Sequence, residues 1–175
     1  IASEDIPHKT EVGGVLLNIR SREEALAAYD ELLARVLAKA PQARIDGVLV
    51  APMIGGGVEM ITGVSRDAAF GPVVMVGMGG IYAEVLKDVA VQVAPVSQAE
   101  ALRMIESLKL YPLLQGVRGK PPADVAAMAD TVARLSQLAV AHADAIAEID
   151  LNPVLVQEAG RGVIAVDALM VPRTA

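Results

Sequence analysis

Asp150-Leu-Asn-Pro-Val-Leu-Val156, followed by Val163-Ile-Ala-Val-Asp167, reads as two short apolar strands joined by a turn over Glu158-Ala-Gly-Arg-Gly162. Each strand carries oxygen-bearing side chains at one end. Asp150 and Asn152 are two positions apart, so on an extended strand they face the same way. Asp167 closes the second strand. If the hairpin sets Asn152 against the Asp167 region, three oxygen ligands converge. Mg²⁺ takes hard oxygens from a few protein groups and the rest from water and phosphate, so this pattern suits a metal-bound nucleotide. The plain alternative makes Asn152-Pro153 a turn and Asp167 a strand-end cap.

The elements leading up to this hairpin form an alternating helix and strand pattern. Ser21-Arg-Glu-Glu24 is a capping-box sequence, and the helix it opens sets Ala25, Tyr29, Leu32, Leu33, Val36 and Leu37 on one face before Pro41. A second capping box, Ser97-Gln-Ala-Glu100, opens a helix with Leu102, Ile105 and Leu108 inward. A third helix follows Pro121-Pro122 and packs through Val125, Met128, Val132, Leu135 and Ala139. Strands are expected at Gly13–Ile19, Ile45–Met53, Val58–Val64, Pro72–Gly77 and Val89–Ala94. The expectation is an α+β fold with a mostly antiparallel sheet.

Composition narrows the function. The chain has 175 residues, enough for one domain or two small lobes, and 54% are hydrophobic, so a substantial core is available. Aromatic residues are 2%, which leaves Ala, Val, Leu, Ile and Met to build that core. A net charge of −6 without a basic cluster argues against nucleic acid as a partner. No apolar run approaches the length of a membrane span. The absence of cysteine excludes disulfides, zinc thiolates and a thiol nucleophile. With no signal peptide visible, the cytoplasm is the default compartment. The chain begins at Ile1 rather than Met, which reads as a fragment or a trimmed product.

Two glycine clusters punctuate the middle of the chain. Gly55-Gly-Gly57 lies between expected strands and reads as a mobile loop, because three adjacent glycines carry a large ordering entropy. Gly77-Met-Gly-Gly80 follows an apolar strand, where phosphate-binding loops often lie. It is neither a P-loop, since no Gly-Lys-Ser/Thr follows, nor a dinucleotide fingerprint, since Tyr82 stands where the third glycine should be.

The order of motifs is more specific than any one of them. Asp5-Ile-Pro-His-Lys-Thr-Glu-Val-Gly-Gly14, Glu59-Met-Ile-Thr-Gly-Val-Ser-Arg-Asp67, Phe70-Gly-Pro72, Gly77-Met-Gly-Gly80, then Glu84 and Asp88, Tyr111-Pro-Leu-Leu-Gln-Gly-Val-Arg-Gly119 and Glu148-Ile-Asp-Leu-Asn-Pro153 span nearly the whole chain. Together they resemble the ATP-grasp domain of the NDP-forming acyl-CoA synthetases, the ADP-forming acetate–CoA ligases related to succinyl-CoA synthetase. The resemblance implies an α+β fold that holds a nucleotide between two lobes. Residues 1–50 would end the smaller lobe and residues 51–175 would form most of the larger one, with an adenine hinge at Val50 to Ile54.

The resemblance also implies a reaction, acyl-CoA + ADP + phosphate ⇌ acid + CoA + ATP, with a phosphohistidine relay. The implied cofactors are ATP/ADP and Mg²⁺, and the implied partners are CoA-binding and ligase-CoA domains. His8 matches the histidine of the family's His-Lys segment and is the candidate phosphoryl acceptor. Asn152 and Asp167 match the metal-binding pair, and Asp150 the neighbouring catalytic acid. Val50, Met53, Glu59, Arg66, Gly79 and Gly80 fall on the nucleotide side. The hinge reads Ala51-Pro52-Met53 where many relatives have Gln-Glu-Met, and the small-lobe lysine that contacts phosphates does not precede it here. These departures point to one piece of a longer catalyst. Two other readings are a non-catalytic nucleotide-binding regulatory module and an interaction domain whose glycines are only turns. His142, near the end of the third helix, reads as a solvated or carbonyl-bonded residue.

Overall fold

The computed structural model describes every residue except 7–8, 81–85, 118 and 174–175. The chain parts into two compact units, Ile1–Gly55 and Gly56–Ala175.

The first unit is organised by one helix, α1 (Arg22–Lys39). The Ser21 hydroxyl accepts the Glu24 N–H, as the sequence suggests, but the Glu24 carboxylate accepts from Arg20 rather than Ser21, so the reciprocal box does not close. The buried stripe is Ala28, Leu32 and Val36, which packs with Ile1 and Ile6 in a small core. Tyr29 and Leu37 stay exposed, since the stripe at i, i+4 spacing runs one position aside of them. The strands expected at Gly13–Ile19 and Ile45–Met53 do not form. Among the described residues of this unit the sheet-like pairing is a single bridge, Ala2 to Gly47. Apolar extended chain becomes a strand only where a neighbouring edge supplies its hydrogen bonds.

The second unit is a six-stranded antiparallel sheet backed by helices. Its strands are β1 (Val58–Asp67), β2 (Gly71–Met78), β3 (Val89–Val93), β4 (Ile146–Val156), β5 (Val163–Ala165) and β6 (Ala168–Pro172). The order is β3-β2-β1-β4-β5, with β6 also paired to β4. Helices α2 (Gln98–Glu106) and α3 (Val125–Ala141) lie on one face. Alternation sends Met60, Val64, Val74, Val76 and Met78 into that face, where they meet Ile105, Met128 and Val132. No described helix of this unit covers the opposite face. The closing hairpin pairs Val156 with Val163, as the sequence indicates, but β6 extends the same side of β4 beyond it.

Two carboxylates that the sequence left unassigned fasten this unit. Asp88 is buried and accepts the N–H groups of Lys109 and Leu110 at 2.9 and 2.8 Å, which anchors the start of β3 to the end of the α2 region. Asp124 caps α3 by accepting from Ala127 and also accepts from Gly162 at 2.9 Å, tying the β4–β5 turn to the helix. The third helix therefore opens at Asp124, two residues past Pro122. Ser97 closes the capping box of α2 as its sequence implies.

Candidate functional site

The uncovered face of the sheet gathers most of the acidic residues singled out above. Glu59, Ile61 and Gly63 alternate with the core residues of β1 and so face this side. Asp150 is paired with Gly63 across β1–β4. A Cβ on Gly63 would lie 2.8 Å from the Ile149 carbonyl oxygen and 3.7 Å from Asp150 Oδ1, so glycine here permits the close approach of the two strands.

Between Leu151 and Val154 the register of β4 against β1 shifts, and the extra residue is accommodated at Asn152-Pro153. Such bulges re-aim side chains and interrupt pairing. On the far side of β4, β5 ends at Ala165 and β6 begins at Ala168. The gap places Asp167 opposite the bulge: Asn152 donates its N–H to the Asp167 carbonyl at 3.3 Å, and Val166 donates to the Pro153 carbonyl at 2.9 Å. The structure thus brings the backbones of Asn152 and Asp167 together, with both residues exposed. Asp167 Oδ1 also accepts the Ala168 N–H at 2.8 Å. Burial, then the charges of Glu148 and Asp167, raise the Asp150 carboxyl above its ordinary range. That mutual repulsion is what a cation would relieve. Among the described residues no cluster of three or more His, Cys, Asp or Glu could hold a metal ion unaided. Mg²⁺ needs only one or two carboxylates when phosphate and water complete its shell, so the oxygen donors here fit that ion.

A second group sits at the start of β1. The Gly79 N–H donates to the Glu59 carbonyl at 2.8 Å, and a Cβ on Gly80, whose φ is +60°, would lie 2.8 Å from Glu59 Oε2. Glu59, Gly79 and Gly80 are therefore one constellation. They line a cavity of about 720 Å³ at this end of the sheet, within the range of about 300–1,000 Å³ usual for small-molecule sites. Gly57, Lys120 and Gln157 also line it, and sequence reading did not single them out for a site.

Arg66 does not join this group. It shares the parity of Met60 and Val64, on the helix side of the sheet, and its guanidinium donates to the Ala143 carbonyl at 2.6 Å. Seven residues of strand put it about 23 Å from Glu59 at roughly 3.3 Å per residue. Nor does it pair with Asp67, which instead accepts the N–H groups of Ala69 and Phe70 in the β1–β2 turn. Val50 and Met53 lie exposed in the first unit. His8 and Glu84 fall outside the described residues.

The ATP-grasp domain family matches residues 1–171. This chain belongs to the ATP-grasp family. It is 46% identical over 164 residues to the ADP-forming acetate–CoA ligase I of Archaeoglobus fulgidus, covering 94% of this chain and 24% of that protein. It is 42% identical over 171 residues to the beta subunit of ADP-forming acetate–CoA ligase II of Pyrococcus furiosus, covering 98% of this chain and 72% of the subunit. This ATP-grasp chain thus spans about a quarter of the former relative. Among solved structures it resembles the dinucleotide-forming acetyl-coenzyme A synthetase 1 of Ca. Korarchaeum cryptofilum in complex with coenzyme A and Mg-AMPPCP, whose phosphohistidine segment points towards the nucleotide-binding site. The TM-score is 0.85 at 40% identity, covering 99% of this chain and 74% of that one. The α+β ATP-grasp fold inferred from the motif order is the fold observed.

Proposed function

We propose that this chain is the nucleotide-binding part of an ADP-forming acyl-CoA synthetase. With CoA-binding and ligase-CoA domains, in the same or a partner chain of the cytoplasm, it would serve the reaction acyl-CoA + ADP + phosphate ⇌ acid + CoA + ATP. The observation that carries this reading is the convergence of Asp150, Asn152 and Asp167 at the β4 bulge, in an ATP-grasp chain whose relatives are ADP-forming ligases. A solved relative that holds coenzyme A and Mg-AMPPCP supports the choice of ligands.

In this reading Asn152 and Asp167 hold Mg²⁺, which when bound neutralises charge on the nucleotide phosphates. Asp150, beside them, accepts the N–H of the imidazole that delivers the phosphoryl group and keeps its ring in line. Val50 and Met53 flank the adenine, and Glu59 with Gly79 and Gly80 faces the sugar. The residues 1–50 end the smaller lobe and 51–175 form the larger one.

His8 is the second phosphoryl acceptor. The P–N bond to a histidine of the CoA-binding part breaks as a P–N bond to His8 forms. The latter then breaks as a terminal oxygen of ADP takes the phosphoryl group. Imidazole is nucleophilic at neutral pH and forms a labile phosphoramidate, and two short transfers let each occur in near-attack geometry. The test is ATP formation from acyl-CoA, ADP and phosphate by the full-length protein. Nucleotide binding without ATP formation across a panel of acyl-CoAs would overturn the catalytic reading.

A further inference from the structure

We infer that the cavity at the start of β1 is a site for a phosphate group, separate from the metal position at the β4 bulge. Its walls offer hydrogen-bond donors that nothing in the described protein uses. Gly56 and Gly57 line it, both with positive φ (+78° and +79°), and neither N–H donates to a described residue. Consecutive backbone N–H groups in such turns make anion-binding concavities. Gly57 has no room for a side chain, since a Cβ would lie 2.7 Å from the Val156 carbonyl oxygen. The Gln157 side-chain nitrogen is buried without a partner and would lie 3.0 Å from that same Cβ. A buried donor left unpaired is costly, and an incoming acceptor removes the cost. The Lys120 ammonium, also on the wall, forms no ion pair or hydrogen bond with any described residue.

Two carboxylates, Glu59 and Glu158, share the wall, so net charge does not draw anions in. They select among anions instead. Phosphate near neutral pH keeps a P–OH that can donate to a carboxylate, whereas sulfate is an acceptor only and meets repulsion there. The ligand class is therefore a phosphate that still carries a proton, either free inorganic phosphate or the terminal group of a nucleotide. The inference stands on the cavity alone and does not need the catalytic reading above.

Calorimetric titration of the full-length protein with potassium phosphate, without nucleotide or divalent cation, tests it. Saturable phosphate binding is expected, with sulfate weaker by about tenfold or more. Lys120→Gln should weaken phosphate binding by about tenfold while the melting temperature holds, since this exposed side chain fastens nothing. Lys120→Arg should restore part of the loss, and Asp167→Ala should leave phosphate binding intact. No saturable binding, equal binding of sulfate, or wild-type binding by Lys120→Gln would each overturn the inference. Competition identifies the source of the group within it. Displacement of phosphate by ATP, with Lys120→Gln weakening ATP but not AMP, assigns the nucleotide's terminal phosphate, and undisturbed phosphate binding under saturating ATP assigns free phosphate. A protein that binds phosphate but no nucleotide keeps this inference and sinks the proposed function.

Discussion

Single carboxylates in this chain do unlike work, and their neighbours decide which. Asp167 faces the β4 bulge across one backbone hydrogen bond, whereas Asp88 is buried and spent on two amides. Asp167→Ala in the full-length protein should abolish Mg²⁺-dependent turnover and leave the melting temperature nearly unchanged, because the side chain is exposed; calorimetry beside a turnover assay reads both. Asp88→Ala should do the reverse and cost about 3 kcal/mol, since it strips two charge-assisted hydrogen bonds from a buried site; chemical denaturation measures it. Asp124 adds a pH dependence. The N–H of Gly162, then that of Ala127, holds its carboxyl below the ordinary value of 3.8. Its folded pKa is depressed, so its contribution is fully present above 3.8 and is lost as pH falls through the lower folded value. The difference in melting temperature between wild type and Asp124→Asn should therefore be flat near neutral pH and shrink in strong acid. A difference that grows on acidification would contradict the assignment.

At the scale of elements, the sheet is one-sided. Its helix face is filled by branched and sulfur-bearing side chains around Met128, which is fully buried on α3. Met128→Ala should cost about 3 kcal/mol through lost burial and the hole left behind, read as a shifted denaturation midpoint at constant slope. The opposite face carries the chemistry because no described helix covers it. The start of β1 depends on Gly57 in a way that three adjacent glycines do not reveal. Gly55 and Gly56 have open space where a Cβ would stand, whereas Gly57 abuts the Val156 carbonyl. A mobile triple-glycine loop was the natural reading of Gly55-Gly-Gly57, yet its last residue is packed against β4.

For the whole molecule, the measurement of most weight is nucleotide binding. Mg-ATP at about 100 times its dissociation constant should stabilise the full-length protein by about 2.7 kcal/mol if it binds only the folded state. His8→Ala should leave that stabilisation intact while acyl-CoA-dependent ATP synthesis falls to background, since a relay residue acts in transfer rather than in binding. Unchanged ATP synthesis would make His8 an ordinary surface histidine. Much of this was legible in the chain itself. Capping at Ser97, the apolar faces of α2 and α3, the β4–β5 hairpin and the ordered motifs all arise from neighbours close in sequence, where propensity and periodicity act. Non-local pairing was not legible. The strands expected at Gly13–Ile19 and Ile45–Met53 have the right composition but no edge to join. Arg66 looked like a phosphate ligand from its motif, and strand parity sent it to the helix side, onto a loop 77 residues away. Asp88, Lys120 and Gln157 acquire meaning only from residues distant in sequence. Local sequence determines which way each side chain points along its own element. Which elements lie beside it, and so whether a carboxylate or an amide meets a backbone N–H, a like charge or an empty cavity, is decided by tertiary packing.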